Sequence, residues 1–400
     1  MYKHPGLVDS PEAIQEIAEH LKTKETIAFD TEFVRERTFF PILEIIQVAS
    51  DTDSWLVDAQ AFRKTGGKGL EPLFEVFQNP NILKFAHAAQ NDQECIYCTF
   101  NVLAAPLFDT ALAAALCGYG DSIGLRNLLR SVLRVKLPKG HARTHWSMRP
   151  LPKPLQDYAH ADVTHLVELG ERLIEILQDL GRDQWAFALS KPLAEPRLYE
   201  TNPKQIADRL AKSGRISPKE YPILLELIEW REQRVREMDV PRKRLADDST
   251  LMDLANVKPK TLEHLLAFRG IPKHELQENG ERILEAIQRG LNGDVPRFEN
   301  QAPPTTEESR TITLLRCFID MLADRYNVAT RHLIDSSQYL ALLRENFETP
   351  QELVEEGILS QPAADLIGQD LISLVGGKTS ITIQDGKVVL THHSKSALST

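Results

Sequence analysis

Asp30 and Glu32 stand two residues apart in Thr26-Ile27-Ala28-Phe29-Asp30-Thr31-Glu32-Phe33, a short apolar run with the composition of a buried β-strand. Side chains alternate across a strand, so both carboxylates project from one face and repel each other unless a cation lies between them. A hard divalent ion suits such a pair. An isolated Asp-x-Glu serves equally well on the solvent side of an edge strand, and two further elements weigh against that reading. His87-Ala88-Ala89-Gln90-Asn91-Asp92 follows the strand-like Asn81 to Ala86, which puts Asp92 near the start of the next helix. Tyr158-Ala159-His160-Ala161-Asp162 lies in an amphipathic helical pattern from about Leu155 to Leu180. A spacing of four sets Tyr158 and Asp162 one turn apart on one helix face. Four carboxylates and a phenol are expected to share a site.

Taken in order, Phe29-Asp30-Thr31-Glu32, His87-x4-Asp92 and Tyr158-x3-Asp162 resemble the three motifs of the DEDDy exonucleases. Within that family the segment Phe29 to Ala49 is similar to ribonuclease D almost residue for residue. Phe108-Asp109-Thr110 before an Ala-rich helix, and Arg149-Pro150-Leu151 ahead of Tyr158, fit the same family. The resemblance implies an α/β, ribonuclease H-like exonuclease domain, a mixed sheet flanked by helices, followed by all-α HRDC-type domains. It implies 3′→5′ hydrolysis of RNA with two divalent metal ions, Mg2+ or Mn2+ as its substitute, releasing nucleoside 5′-monophosphates. In that scheme Asp30 bridges both ions, Glu32 and Asp162 complete the first site, and Asp92 supports the second. Tyr158 orients the attacking water, and Phe33 wedges the last base. Gln47 and His87 are candidate contacts to substrate or to the ligating acids, ranked below them, and Asp109 reads as a helix cap before a fifth ligand. Two residues depart from the family pattern: Glu44, where a small or apolar residue is usual, and His145, where an Asp is common.

At 400 residues the chain is long enough for two to four domains, with the composition of a soluble globular protein. Met1 to Ser10 has no apolar signal region and no stretch reaches the length of a membrane span, so a cytoplasmic enzyme without membrane attachment is expected. Cys95, Cys98, Cys117 and Cys317 make no disulfide framework, and the Cys95-x-x-Cys98 pair lacks a second half at zinc-site spacing. A net charge of -10 does not exclude a nucleic-acid partner, because local patches decide. From Val132 to Gln156 no acidic residue occurs, while Arg134, Lys136, Lys139, Arg143, Arg149 and Lys153 accumulate with His141 and His145. That run leads into the Tyr158 helix and is expected to guide a phosphate backbone towards the acids.

The exonuclease domain is expected over 1–205, an HRDC domain over 206–297, a second, diverged HRDC-like helical domain over 310–376, and a hairpin and tail over 377–400. Prolines between Lys191 and Pro218 mark the first linker or bridging helix, and Pro303-Pro304 marks the second. Tyr221 to Met238 reads as a helix with Arg231, Arg234 and Arg236 outward; with Arg242, Arg231 and Arg234 are candidate RNA contacts. Asp385-Gly386 between β-branched runs predicts a type I′ hairpin. The expected partner is RNA with a free 3′ end, tRNA precursors by resemblance, acted on by a monomer. A DNA exonuclease of the same superfamily and a non-catalytic nucleic-acid binder are the competing readings.

Overall fold

The strand that carries Asp30 and Glu32 lies inside a six-stranded sheet and is not its rim. In the computed structural model, which describes residues 6–137, 145–212, 214–295 and 303–393, the strands lie in the order β1 (Leu7–Val8), β4 (Ser54–Asp58), β3 (Ile42–Ala49), β2 (Thr26–Val34), β5 (Leu83–Ala86) and β6 (Leu107–Asp109). Strands β2, β3 and β4 form an antiparallel meander, and β5 joins β2 in parallel, so the sheet is mixed. Interior placement explains the apolar run: Ile27, Ala28 and Phe29 are fully buried.

Helices α1 (Pro11–Leu21), α2 (Ala59–Arg63), α3 (Glu71–Gln78) and α4 (Gln90–Phe100) build a core with Phe29, Ile46 and Val48. Ser10 caps α1 by accepting from Ala13 N–H, with Pro11 in the first turn. Then follow α5 (Thr110–Leu116), α6 (Leu125–Val132), α7 (Lys153–Thr164), α8 (Leu166–Asp179) and α9 (Asp183–Ser190). The pattern read as one helix from Leu155 to Leu180 is thus two helices, broken at His165 with φ -108° and ψ 10°. Just before the break the Thr164 hydroxyl donates back to His160 C=O at 2.6 Å, a bond that bends helices. The break lets α8 press onto β5, where a Cβ on Gly170 would stand 2.3 Å from the Phe85 ring.

A second unit comprises α10 (Pro203–Ala211), α11 (Tyr221–Met238), α12 (Arg242–Leu245), α13 (Asp248–Val257), α14 (Leu262–Leu266) and α15 (Lys273–Leu291). Its core joins Leu210 of α10 to Leu224, Leu227, Ile228, Leu254 and Ile283, so α10 belongs to this unit and starts it at Pro203. Arg231, expected outward, is 1% exposed. Its guanidinium pairs with Glu232 at 2.9 Å and Asp248 at 2.8 Å, which is why a charge can lie among the leucines. This removes Arg231 from any RNA-binding surface.

The third unit opens with α16 (Thr306–Tyr326), started by a capping box between Thr305 and Glu308. Leu315, Phe318 and Ile319 of α16 share one core with Ala113, Ala114 and Leu116 of α5, so this unit docks on the sheet-bearing unit. The chain after α16 repeats the chain after α11. Asn327 and Asp239 both turn left-handed, short helices Thr330–Leu333 and Arg242–Leu245 follow, and Asp335 and Asp247 cap what comes next. The last element is the expected hairpin, β7 (Thr379–Gln384) and β8 (Lys387–His392), turned by Asp385 at φ 50° and Gly386 at φ 75°. Thr391 and His392 belong to β8, and the rest of the expected tail from 394 on lies outside the described residues. Among the described residues no helix is long and apolar enough to cross a membrane.

Arg231→Ala should destabilise the second unit by about 2–5 kcal/mol, since it leaves a cavity among the leucines and removes one of the two guanidiniums, with Arg242, that compensate buried Glu232. Chemical denaturation measures this, and a loss below about 1 kcal/mol would show that the pair is not structural.

Candidate active site

Pairing of β2 with β3 sets Asp30 opposite Gln47 and Glu32 opposite Ile45. Ile45 packs with Leu155 and Ala159 of α7, so the face bearing the two acids is the one α7 covers. That helix brings Tyr158, whose hydroxyl donates to the Asp162 carboxylate one turn on. The Tyr158 ring lies 6.0 Å from that of buried Trp146. Asp92 arrives from α4, and Thr31, between the two β2 acids, holds it: Thr31 N–H and Thr31 Oγ1 both donate to Asp92 Oδ1, the former at 3.1 Å.

Each segment carrying an acid is clamped just ahead of it. Asp109 accepts from Ala88 N–H at 3.0 Å, Ala89 N–H at 2.8 Å and Ala111 N–H at 2.8 Å, capping α5 while fixing the turn that starts α4. Ala88 is left-handed at φ 58°, a conformation an alanine keeps only when its surroundings impose it. Asp109 is therefore a cap. His87 beside it bonds Thr110 Oγ1 at 3.0 Å and Ile123 C=O at 3.1 Å, so both ring nitrogens are engaged and the ring is no substrate contact.

Arg149 is likewise corrected from substrate contact to clamp. Its Nε and Nη2 donate to Asp58, its Nη1 to Trp146 C=O and Met148 C=O, and its Nη2 also to Glu44 C=O. All donors of the fork are engaged, and they tie the segment that leads into α7 to Asp58 and to the β3 backbone at Glu44. Glu44, the departure from the family pattern, joins the same clamp: its buried carboxylate accepts from Gln60 at 2.6 Å and Ser147 Oγ at 3.1 Å.

Burial and mutual repulsion dominate the electrostatics. Glu32 is pushed up to about 9 by burial and by Asp162 and Asp92. Burial raises Asp92 to about 7, with the Thr31 bonds opposing it. Asp162 rises to about 6 by burial, with Tyr158 and Arg126 opposing. Asp30 rises well above the carboxylate range through burial and the charges of Asp92, Asp162 and Glu32. Tyr158 is raised by burial and the surrounding acids, which keeps its proton in place for donation. Among the described residues no three of these groups close around an ion by themselves. A cation such as Mg2+ keeps several waters and takes one or two carboxylates plus substrate phosphate. The donor set, hard oxygens at mutual repulsion, fits such an ion.

Other expected contacts fare differently. Gln47 is fully buried opposite Asp30 in the β2–β3 pair, and its amide has no hydrogen-bond partner among the described residues. Phe33 lies half-buried against the core under α1, α3 and α4. Arg234 and Arg242 are spent within the second unit, the first forked onto Glu275 at 2.8 and 3.2 Å, the second onto Glu232 at 2.7 Å twice. Of the basic run, Lys139, His141 and Arg143 lie outside the described residues. Sequence reasoning missed Thr31, for which its place between two acids was the available signal. It also missed Arg126, which carried none.

Residues 5–178 match the 3′-5′ exonuclease family and residues 222–287 the HRDC domain. The ribonuclease D of Nitrobacter hamburgensis is 32% identical over 394 residues, 97% of this chain and 100% of that protein. That of Zymomonas mobilis is 32% identical over 397 residues, 98% of this chain and 99% of that protein. The crystal structure of Escherichia coli RNase D shares the fold at a TM-score of 0.75 and 23% identity, covering 94% of this chain and 99% of that one.

The carboxylate shifts carry a stability prediction. Glu32, Asp92 and Asp162 are raised above their unfolded values, so the folded chain binds more protons and stability falls as pH rises through about 6, 7 and 9. Groups lowered by folding bring the opposite slope and are outnumbered by the raised acids: Glu308, at about 2, in acid, His332, at about 4, up to about pH 6.5, and Lys84, at about 7, above neutrality. Metal-free protein should therefore melt at progressively lower temperature from about pH 5.5 to about pH 9, a range set by those shifts. Asp30→Asn should flatten the trend; a melting temperature that climbs with pH across this range would contradict the assignment.

Proposed function

Because this chain belongs to the ribonuclease D family and is a 3′→5′ exoribonuclease, we propose that Asp30, Glu32, Asp92 and Asp162 hold two divalent metal ions, Mg2+ or Mn2+ in its place, at the end of an RNA 3′ strand. The observation that carries this is the buried set of mutually repelling acids beside a tyrosine bonded to one of them. When bound, the ions lower the pKa of water and neutralise charge on the phosphate in flight. Asp30, Glu32 and Asp162 would hold one ion, and Asp92 with Asp30 the other. The Tyr158 hydroxyl, held protonated, hydrogen-bonds the attacking water and aims it along the line of displacement. Hydrolysis breaks the phosphorus to O3′ bond, leaves a nucleoside 5′-monophosphate and gives the proton of water to the departing O3′.

The substrate is RNA with a free 3′ end, including precursors of structured RNAs such as tRNA, acted on by a monomer in the cytoplasm. The 222–287 unit contributes to holding that RNA, and the repeat of its α11 to Asp247 segment after α16 supports reading the third unit as a second, diverged copy.

Asp30→Asn should reduce nucleotide release by about 10³-fold while RNA affinity in the same buffer changes little, because several kcal/mol of charge stabilisation are lost. Tyr158→Phe should lose about 10²-fold or more in kcat with KM nearly constant. Single-turnover release from 3′-labelled RNA, with magnesium and then chelator, measures both. Near-normal release by Asp30→Asn would end the metal assignment, and equal loss of affinity and rate in Tyr158→Phe would make that residue a binding group. Release from labelled DNA at the same rate would turn the substrate class to DNA.

A further inference from the structure

The arginines first expected to hold RNA are engaged in ion pairs within the helical unit, yet another basic feature stands at the mouth of the active site. A cavity of about 300 Å³ opens beside the acids, lined by Tyr158 and Asp162 on one wall and by Gly124, Leu125, Arg126 and Asn127 on the other. Arg126 and Arg130 lie one turn apart on the exposed side of α6, while Leu128 and Leu129 bury the opposite side. Neither arginine forms an ion pair with another described residue, in contrast to Arg35, Arg149, Arg209, Arg234 and Arg242. Arg126 is also close enough to Asp162 to oppose the effect of its burial.

A strand entering by its 3′ end brings one phosphate to the acids, the scissile one, which belongs to the terminal nucleotide. The next negative charge lies one nucleotide upstream. We propose that Arg126 binds this upstream phosphate, with Arg130 continuing the contact along the strand, so that α6 sets the register in which the scissile bond meets the acids. The proposal rests on the reading that the four acids receive the scissile phosphate. Arg126 is a positioning residue here: it touches RNA away from the reacting atoms. A single arginine to phosphate bond corresponds to about a tenfold effect on kcat/KM.

Two dinucleotides that differ only in the charge at issue provide the test. ApA carries the scissile phosphate alone, and pApA adds the upstream phosphate. Wild-type protein with magnesium should cleave pApA with about tenfold higher kcat/KM than ApA. Arg126→Ala should erase that preference, its kcat/KM falling about tenfold more on pApA than on ApA, and Arg126→Lys should keep part of it. On longer single-stranded RNA, Arg126→Ala together with Arg130→Ala should lower the slope of log kcat/KM against log salt by about 0.7 for each phosphate that is no longer neutralised. Equal loss on both dinucleotides, or an unchanged preference with an unchanged salt slope, overturns the proposal while the acids keep their role. If wild type shows no metal-dependent cleavage of either dinucleotide or of longer RNA, the reading of the acids fails and this one with it.

Discussion

Four carboxylates forced together out of water repel one another, and the architecture around β2 exists against that repulsion. Burial alone raises each acid, and the neighbours raise Asp30 and Glu32 further. Held on flexible loops, such groups would separate or turn to solvent. Here Asp30 and Glu32 are fixed by an interior strand, Asp92 by Thr31, and Asp162 by a helix packed on Ile45 and Leu56. The clamps made by Asp109 and Arg149 lie just before the elements that carry Asp92 and Asp162. They act on the backbone, through bonds that do not compete with the acids for an ion. Mutation of either clamp would move an acid without touching it.

The same strand couples the site to the helical unit. Past Glu32 a bulge shifts the register, and the chain continues into the loop holding Phe39 and Phe40. Their N–H groups donate to Asp239 at 2.9 and 3.1 Å, and Arg236 and Arg242 stand over the Phe39 ring at 5.7 and 5.1 Å. Asp239 is left-handed at the end of α11, so the helix terminus that stops that unit's longest early helix is also its latch. Basic side chains that look free in the sequence are used here to join two units. An RNA-holding surface must then be sought among cations outside such ion pairs, which is the reason α6 gains weight.

The buried strand, the helix that carries Tyr158 and Asp162 and the hairpin could be read from the sequence because their signals are local: the apolar run Thr26 to Phe33, the four-residue spacing of Tyr158 and Asp162, and Asp385-Gly386. What could not be read depends on partners distant in the chain. Nothing near Arg231 foretells that Asp248 will meet it, and a leucine-rich helix with one inward arginine has the same pattern as one with an outward arginine. Arg149 and His87 fail for a like reason, since Asp58 and the Ile123 carbonyl come from elsewhere. The helix break at His165 has no glycine or proline to announce it, and rests on a hydroxyl bonded four residues back. Glu44 reads as an anomaly until Gln60 and Ser147 are placed beside it.

An acidic chain that acts on an acidic polymer raises an electrostatic question which net charge answers poorly. Most cations close to the site are neutralised by a neighbouring carboxylate, as in Arg35 with Glu94, Arg63 with Glu44 and Arg149 with Asp58. Such pairs exert little field on a ligand a few ångströms away. Once ionised, Asp30, Glu32, Asp92 and Asp162 would repel a phosphate from the place it must occupy. On the metal assignment proposed above, two divalent cations would carry four positive charges against those four negative ones, and a phosphate oxygen would then meet a cation instead of an anion. On the proposed metal assignment, ion and RNA therefore each favour the other's binding, and the coupling is reciprocal by linkage. Arg126 carries its charge whether or not ions are bound, so on the proposal made for α6 its contact with the upstream phosphate does not wait for them.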